Sequence, residues 1–299
     1  MPGEPFENFS AATLARFGDG ARAWLAGVPD LIVDLGGRWA LQLGEPSSTD
    51  DAYLVPADRG DDRLLLEIVY PDGWWPETTS ALEAWRGDGV AKLFEHDGRG
   101  ARLLERLEQI ALPDDETATL RDVAAIARRL WVSPPEGITT VAVEVRAWAS
   151  ELPERHVKAG RPFEREMVRR AAELFGTLGP TQGERVLLHG DLRLTSLALA
   201  DDRRVLIGPR PLVGEREFDL ASLVRDTPLD LLADVHEGRR RVKQRVETLV
   251  DELGCNANRL KNWAFATAVD QAVWLAENGD HGGGTALIET ARMIDQIEV

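Results

Sequence analysis

Cysteine is almost absent from this chain, and its scarcity excludes several kinds of protein. Cys255 is the single cysteine among 299 residues, so neither an internal disulfide nor a cysteine-based zinc site is possible. No apolar run reaches the roughly 18 residues that a membrane-spanning helix needs. The N-terminus lacks the basic segment and apolar core of a secretion signal. These absences together predict a cytoplasmic protein that does not bind membranes.

Positive charge is also in short supply. Lys and Arg number 35 against 51 Asp and Glu, giving a formal net charge of −16. Nucleic acids and anionic membranes are bound by clustered Lys and Arg, so we expect neither as a partner. The one short basic run, 239–243, is typical of the solvated face of a helix. What the chain does contain is ample apolar material for a core, with hydrophobic residues making up 43%.

Hydrophobic periodicity predicts a strand-rich first part. Two or three short helices are expected over 10–37, with Ser10 as an N-cap and a break at 27–30. Short β-like runs separated by turn residues follow, with one helix at 75–85 among them. This order predicts a lobe of about five antiparallel strands with one helix.

The later part of the chain has helical periodicity. Helices are expected over 114–130, 229–253 and 256–277, with a last helix from about Thr285. The glycine run 282–284 is interpreted as a flexible turn before that last helix. We therefore predict an α+β fold of two lobes. Residues 1–108 form N-terminal helices and a β-rich N-lobe, residues 109–299 form a helical C-lobe, and a small-molecule ligand occupies the cleft between them.

One stretch, 187–225, interrupts the helical part and carries the chemistry. A short apolar strand leads into His189, Gly190 and Asp191, and a hairpin with its turn at 201–203 follows. Phosphoryl transfer needs such a carboxylate to accept a hydroxyl proton, followed by an Asn and an Asp that hold Mg²⁺. His-x-Asp is present, whereas the two metal-holding positions are occupied by other residues.

Several segments together resemble the aminoglycoside/hydroxyurea phosphotransferase family, in its streptomycin-kinase-like branch, over nearly the whole chain. They are RWALQLGEP at 38–46, LLERL at 103–107, HGDL at 189–192, PRPLVGE at 209–215, FDLA at 218–221, WAFA at 263–266 and AVW at 272–274. The resemblance implies a two-lobed protein-kinase-like fold with ATP bound between the lobes. It also implies a hinge for the nucleotide at Glu105 and Leu107.

The residues that would hold Mg-ATP depart from the family pattern. Ser196 stands where the family has the Mg²⁺-binding Asn, and Gly208 stands where it has the principal metal-binding Asp. Glu67 replaces the Lys that pairs with the ATP phosphates. Near that position, Thr78 and Ser80 are the counterparts of the Glu that pairs with this Lys. Because Mg²⁺ requires oxygen ligands, usually carboxylates, we expect no metal site and no bound cofactor.

The remaining charged residues of the motif have open roles. Asp191 is either the general base for a substrate hydroxyl or a vestigial carboxylate that ties the loop together. His189 is interpreted as structural, as is Asp219 further along the chain. Arg193 and Arg210 either neutralise Asp191 or bind an anion in place of Mg-phosphate.

Two functions follow from this pattern. The first is a pseudokinase that has lost ordinary Mg-ATP phosphotransfer and serves in ligand binding, regulation or scaffolding, with a possible protein partner. The alternative is an active phosphotransferase that moves the ATP γ-phosphate to an alcohol group of an antibiotic or secondary metabolite. In that case Asp191 is the base, and ATP and Mg²⁺ are required.

Overall fold

The chain divides into two units in the computed structural model, which describes residues 3–110 and 115–298. The first unit comprises Met1–Gln109 with Ala198–Val205, and the second comprises Ile110–Leu197 with Leu206–Val299. The hairpin at 198–205 thus groups with the strand-rich unit, although it lies within the segment 109–299 that the sequence assigns to the helical lobe. Its grouping follows from strand pairing, described below.

The first unit contains a six-stranded antiparallel sheet in the order β1-β3-β4-β6-β5, with β2 also paired to β3. Its strands are β1 (Gln42–Leu43), β2 (Ser47–Ser48), β3 (Tyr53–Arg59), β4 (Asp62–Ile68), β5 (Leu93–Asp97) and β6 (Ala101–Glu105). Along β4, Leu64, Leu66 and Ile68 are buried while Leu65 and Glu67 are half-exposed. This alternation gives the sheet a continuous apolar face.

Two helices, α1 (Glu4–Phe17) and α2 (Arg22–Arg38), share one buried cluster with that apolar face. The expected start at Ser10 is wrong, because α1 begins at Glu4. The expected break at 27–30 is wrong too, because α2 continues through Pro29. Buried residues at helical spacing on α2, among them Val28 and Leu31, outweigh the loss of one backbone hydrogen bond.

The helix α3 (Trp74–Trp85) lies at the expected place, with Trp75 and Trp85 buried. A second, three-stranded sheet has the order β10-β9-β7 and consists of β7 (Glu108–Gln109), β9 (Leu197–Ala200) and β10 (Arg203–Leu206). Pairing of β9 with β7 is what attaches the hairpin to the first unit.

The second unit is mainly helical. Its helices are α4 (Glu116–Leu130), α5 (Val141–Lys158), α6 (Arg165–Leu178), α7 (Arg216–Val224), α8 (Pro228–Ala233), α9 (Val235–Leu253), α10 (Ala257–Glu277) and α11 (His281–Asp295). Two short antiparallel strands, β8 (Val186–Leu188) and β11 (Leu212–Gly214), complete it. Central α10 packs against α5, α6, α7 and α11 and buries Trp263 and Val273. No helix among the described residues is both long and apolar enough to span a bilayer.

Two expectations for this unit are wrong. The single helix expected over 229–253 is two helices, because the Asp234 side chain accepts the backbone N–H groups of His236 and Glu237 and starts α9 there. The glycine run is helical rather than a flexible turn, since Asp280 caps α11 just before it. Gly284 lies against α10, where a Cβ would be 2.9 Å from the Ala272 carbonyl oxygen. The expected helix start at Asp114 lies outside the described residues.

A buried ion-pair cluster joins α4 to α9. The Glu116 carboxylate accepts hydrogen bonds from Arg245 at 2.7 and 3.0 Å and from Arg241. The Arg245 side chain is 1% exposed and also donates to the Asp226 carbonyl at 2.6 Å and to the Thr227 hydroxyl at 3.1 Å. This cluster therefore fixes the segment that follows α7.

Glu116→Gln should destabilise the protein, because it leaves the buried Arg245 guanidinium without its counter-ion. Breaking a buried pair in this way costs about 3 kcal/mol. The matched control is Glu173→Gln, which removes an exposed pair with Arg169 and should cost below about 1 kcal/mol. Unfolding in guanidinium chloride measures the loss of unfolding free energy in each variant. Equal losses for the two variants would contradict the structural role of the cluster.

The same cluster predicts an acid dependence. Burial acts to raise the pKa of Glu116, but hydrogen bonds from Arg245 and Arg241 outweigh it and lower that pKa from 4.5 to about 2. A lowered folded-state pKa contributes stability that is complete above the unfolded value and is lost as the pH falls toward 2. We expect the unfolding free energy of the Glu116→Gln variant to depend less on pH between 4.5 and 2 than that of the unmodified protein.

Candidate functional site

The loop that follows β8 is held by one buried carboxylate. Asp219, on α7, accepts the backbone N–H groups of His189 at 3.1 Å and Gly190 at 2.8 Å. It also accepts the indole N–H of Trp131 at 3.1 Å. Burial raises the pKa of Asp219 to about 6, although these donors oppose the shift. The contacts agree with the bracing role interpreted from the sequence.

The segment 207–211 runs close beside this loop. The Arg210 N–H donates to the His189 carbonyl at 2.8 Å. Gly190 has φ +81°, and a Cβ there would lie 1.8 Å from the Arg210 carbonyl oxygen. Only glycine fits at this position.

His189 is fully buried. Burial lowers the pKa of its imidazole to about 4, so the ring is uncharged at neutral pH. An enclosed neutral ring is suited to packing the loop rather than to exchanging protons with a substrate. The interpretation of His189 as structural is consistent with this setting.

Asp191 is paired with Arg193, two residues further on. The Arg193 Nε and Nη2 atoms lie 3.2 and 3.1 Å from the two carboxylate oxygens. The Asp191 side chain is 27% exposed and that of Arg193 is 52% exposed. Arg193 therefore neutralises Asp191 and still presents part of its guanidinium to solvent.

The two positions at which the family pattern has metal ligands, Ser196 and Gly208, lie close together in the structure. The Ile207 N–H donates to the Ser196 carbonyl at 2.9 Å, which brings Ser196 beside Gly208. Ser196 is buried, and Gly208 offers no side chain. Among residues 3–110 and 115–298, no cluster of three His, Cys, Asp or Glu side chains is arranged to hold a metal ion. The donors at these positions do not fit Mg²⁺, which takes carboxylate oxygens.

Glu67, on β4, is neutralised within the first unit. It lies directly opposite Arg102 on β6, with the Arg102 Nε atom 3.0 Å from a Glu67 carboxylate oxygen. The Arg102 side chain is 7% exposed, and its guanidinium lies 6.0 Å from the Trp75 ring centroid. Sequence reasoning treated Glu67 as an isolated reversal of charge and missed this partner. The pairing requires the strand register, which the sequence pattern alone does not provide.

The other residues expected near a nucleotide make local contacts. The two Glu105 carboxylate oxygens accept hydrogen bonds from Arg203 Nη2 at 2.8 and 2.9 Å. Leu107 is half-buried. The Thr78 hydroxyl donates to the Trp74 carbonyl of its own helix at 2.9 Å. A hinge role for Glu105 and Leu107 stays a prediction.

An open cavity of about 360 Å³ adjoins Asp191 and lies wholly in the second unit. Its wall consists of Asp191, Leu192, Arg193, Ser222, Arg225, Asp226, Thr227, Pro228, Leu229, Asp230, Gln271, Leu275, Asp280, Gly283 and Leu287. Four carboxylates and two guanidinium groups are among them. Sequence reasoning found only Asp191 and Arg193, because the others come from separate segments around α7, α8, α10 and α11.

Several solved structures of small-molecule kinases share this fold. A choline kinase from Streptococcus pneumoniae matches 90% of this chain and 99% of its own, with a TM-score of 0.61 and 14% identity. Aminoglycoside phosphotransferase APH(4)-Ia, as a thermostable mutant in ternary complex with ADP and hygromycin B, matches 89% of this chain and 97% of its own with a TM-score of 0.57 and 12% identity. At these identities the likeness shows the fold alone. The α+β kinase-like fold expected from the sequence is confirmed.

Sequence comparison then identifies the family. A family model described as aminoglycoside/hydroxyurea antibiotic resistance kinase matches residues 75–279. Streptomycin 6-kinase of Streptomyces glaucescens is 30% identical over 95% of each chain, and that of Streptomyces griseus is 32% identical over 88% of this chain and 87% of its own. Hydroxyurea phosphotransferase of Kitasatospora aureofaciens is 28% identical over 89% of this chain and 78% of its own. The protein belongs to the aminoglycoside/hydroxyurea phosphotransferase family, as the sequence motifs predicted.

The Glu67–Arg102 pair can be tested by exchanging its charges. Glu67→Lys places a second cation next to the largely buried Arg102 guanidinium. We expect the unfolding free energy to fall by about 3 kcal/mol. The double variant Glu67→Lys/Arg102→Glu restores opposite charges and should recover most of that loss. Urea unfolding of the single and double variants measures the coupling. A double variant no more stable than Glu67→Lys would contradict the pairing.

Proposed function

We propose that this protein binds a hydroxylated, positively charged small molecule in the cavity beside Asp191, and that ordinary Mg-ATP phosphotransfer to that ligand is lost. The observation that carries this proposal is the cavity itself. It is a concave site of the size of small-molecule sites, and Asp191 is part of its wall. Its three further carboxylates favour a cationic ligand.

The loss of transfer is supported by the donor set beside Asp191. Gly208 and Ser196 provide no carboxylate for Mg²⁺, and the Asp191 carboxylate is occupied by Arg193 at 3.1 Å. A general base must be free to accept the substrate proton. Arg193 would have to move before Asp191 took that role.

A second candidate is an active phosphotransferase in which Asp191 accepts the proton of an alcohol group. It is favoured by the names of the relatives, a streptomycin 6-kinase and a hydroxyurea phosphotransferase, and by the exposure of Asp191 to the cavity. In this candidate the chain's own residues orient the hydroxyl toward Asp191. The phosphate donor and any metal would be held by residues other than Ser196 and Gly208.

Nucleotide titration separates the two candidates. For the unmodified protein we expect ATP to give no magnesium-dependent heat in calorimetry. Gly208→Asp combined with Ser196→Asn supplies the missing oxygen ligands, and the space at Gly208 is open, with nothing within 4 Å of a Cβ. This double variant should gain magnesium-dependent ATP binding. Such binding by the unmodified protein would overturn the loss of transfer and support the second candidate.

Ligand titration tests the cavity. We expect streptomycin, which is cationic, to bind and to raise the melting temperature, and hydroxyurea, which is uncharged, to bind far more weakly. Asp230→Asn removes one exposed carboxylate of the wall and should weaken streptomycin binding about threefold. The control is Asp202→Asn, at the tip of the β9–β10 hairpin and outside the cavity. If neither compound binds, or if both variants weaken binding equally, the proposed cationic site is wrong.

A further inference from the structure

The cavity wall contains a cation whose hydrogen bonds go only to neutral groups. Arg225, at the end of α7, donates from Nε to the Thr267 hydroxyl at 3.1 Å and from Nη1 to the Gln271 side-chain oxygen. Both partners are neutral. Within the described residues, no Asp or Glu oxygen lies within 4 Å of its guanidinium, and Nη2 makes no hydrogen bond. Asp191, Asp226 and Asp270 favour its charge only from a greater distance.

A partly buried guanidinium loses hydration, and carboxylates that do not touch it offset that loss less than a contacting ion pair would. Buried charges in proteins are normally paired or hydrogen-bonded throughout. Burial lowers the pKa of Arg225, which reflects the same desolvation. Thr267 and Gln271 hold the guanidinium in place, so Nη2 is the atom left to receive a ligand.

Arg193 adds a second cation to the same wall. Its guanidinium contacts Asp191 through Nε and Nη2 while half of the side chain remains exposed. Guanidinium groups offer forked donors that match the oxygens of phosphate. Two arginines beside one carboxylate thus form a site suited to an oxyanion.

The carboxylates of the cavity wall differ from one another in what they contact. Asp226 accepts the Leu194 N–H at 2.7 Å and the Thr227 N–H at 2.8 Å, so it serves the local backbone. Asp230, on α8, and Asp280, the cap of α11, are contributed by two helices that pack against each other. The wall therefore combines arginines with additional carboxylates.

We propose that the cavity binds the phosphate monoester of a cationic polyol, with the phosphate on Arg193 and Arg225 and the cationic groups on the carboxylates. The proposal rests on the proposed function, because it names the ligand class of the same site. A protein of this kind would hold a phosphorylated ligand rather than make one. The reaction that supplies the ligand is then phosphorylation of a cationic polyol by another enzyme.

Calorimetry in magnesium-free buffer with three probes tests the proposal. D-glucosamine 6-phosphate carries both charges, D-glucosamine carries only the cation, and D-glucose 6-phosphate carries only the anion. We expect D-glucosamine 6-phosphate to bind about tenfold or more tightly than either of the others, since it alone can make charge-assisted hydrogen bonds both to the arginines and to the carboxylates. Equal affinities for D-glucosamine and its phosphate would overturn the proposal.

Variants test whether the arginines cause the tighter binding of D-glucosamine 6-phosphate. Arg193→Gln should weaken D-glucosamine 6-phosphate binding about tenfold and leave D-glucosamine binding nearly unchanged. Arg225→Lys keeps the positive charge but lacks the two parallel N–H donors of a guanidinium. If the protein remains folded, this variant should weaken the binding of D-glucosamine 6-phosphate and leave that of D-glucosamine nearly unchanged. The control is Arg216→Gln, which removes an exposed guanidinium outside the cavity. An unaltered affinity in Arg193→Gln would overturn the phosphate assignment.

Asp191→Asn should change the affinities of D-glucosamine 6-phosphate and D-glucosamine in opposite directions. Removing this carboxylate relieves its repulsion of the phosphate and frees Arg193, so D-glucosamine 6-phosphate should bind several-fold more tightly. The same change removes a carboxylate that attracts D-glucosamine, whose binding should weaken. A loss for both probes would overturn the inference.

The probe series also separates this inference from the proposed function. If D-glucosamine binds and its phosphate binds no better, the phosphate site is wrong and the cationic site stands. If D-glucose 6-phosphate binds as tightly as D-glucosamine 6-phosphate, the arginine site stands and the cationic ligand of the proposed function is wrong. Failure of all three probes to bind would overturn the inference.

Discussion

Everything near the site depends on the Asp219 carboxylate, which accepts three N–H groups in a buried position. Two of the donors are the consecutive backbone amides of His189 and Gly190, and the third is the indole of Trp131. Because a buried carboxylate without donors is strongly unfavourable, these contacts fix the loop after β8 relative to α4 and α7. The position of Asp191, one residue further along, follows from them.

The ion pairs around this loop assign different tasks to neighbouring charges. The Glu116 cluster fixes the segment after α7 through Arg245, which contacts the Asp226 carbonyl. Arg225, one residue before that carbonyl, is left with neutral partners only. Arg245 therefore has a carboxylate in contact with its guanidinium, whereas Arg225 has carboxylates only farther away. The two arginines differ in that one is tied into the fold by an ion pair and the other lines the cavity.

Sequence reasoning predicted the fold class and the loop of the site because both depend on local patterns. The helix α3 lies where the sequence pattern predicted it, a short apolar run marks the strand before His189, and the motif residues near Asp191 are contiguous. The predictions that were wrong have physical causes. The helix α2 continues through Pro29 because the burial of its apolar face stabilises it by more than one missing backbone hydrogen bond costs. The partner of Glu67 depends on strand register, and the wall of the cavity is assembled from helices that are far apart in the chain.

Two glycines beside the site show which of its features the fold imposes. Gly190 has φ +81° and a Cβ there would lie 1.8 Å from the Arg210 carbonyl oxygen, so no other residue fits. Gly208 has φ +70°, but a Cβ there meets nothing within 4 Å. Aspartate is among the residues that adopt positive φ most readily. An Asp at position 208 would therefore meet no packing obstacle, but the positive φ there favours glycine. With no carboxylate at position 208, Arg193 and Arg225 are the groups of the cavity wall near Asp191 that an anion could contact directly.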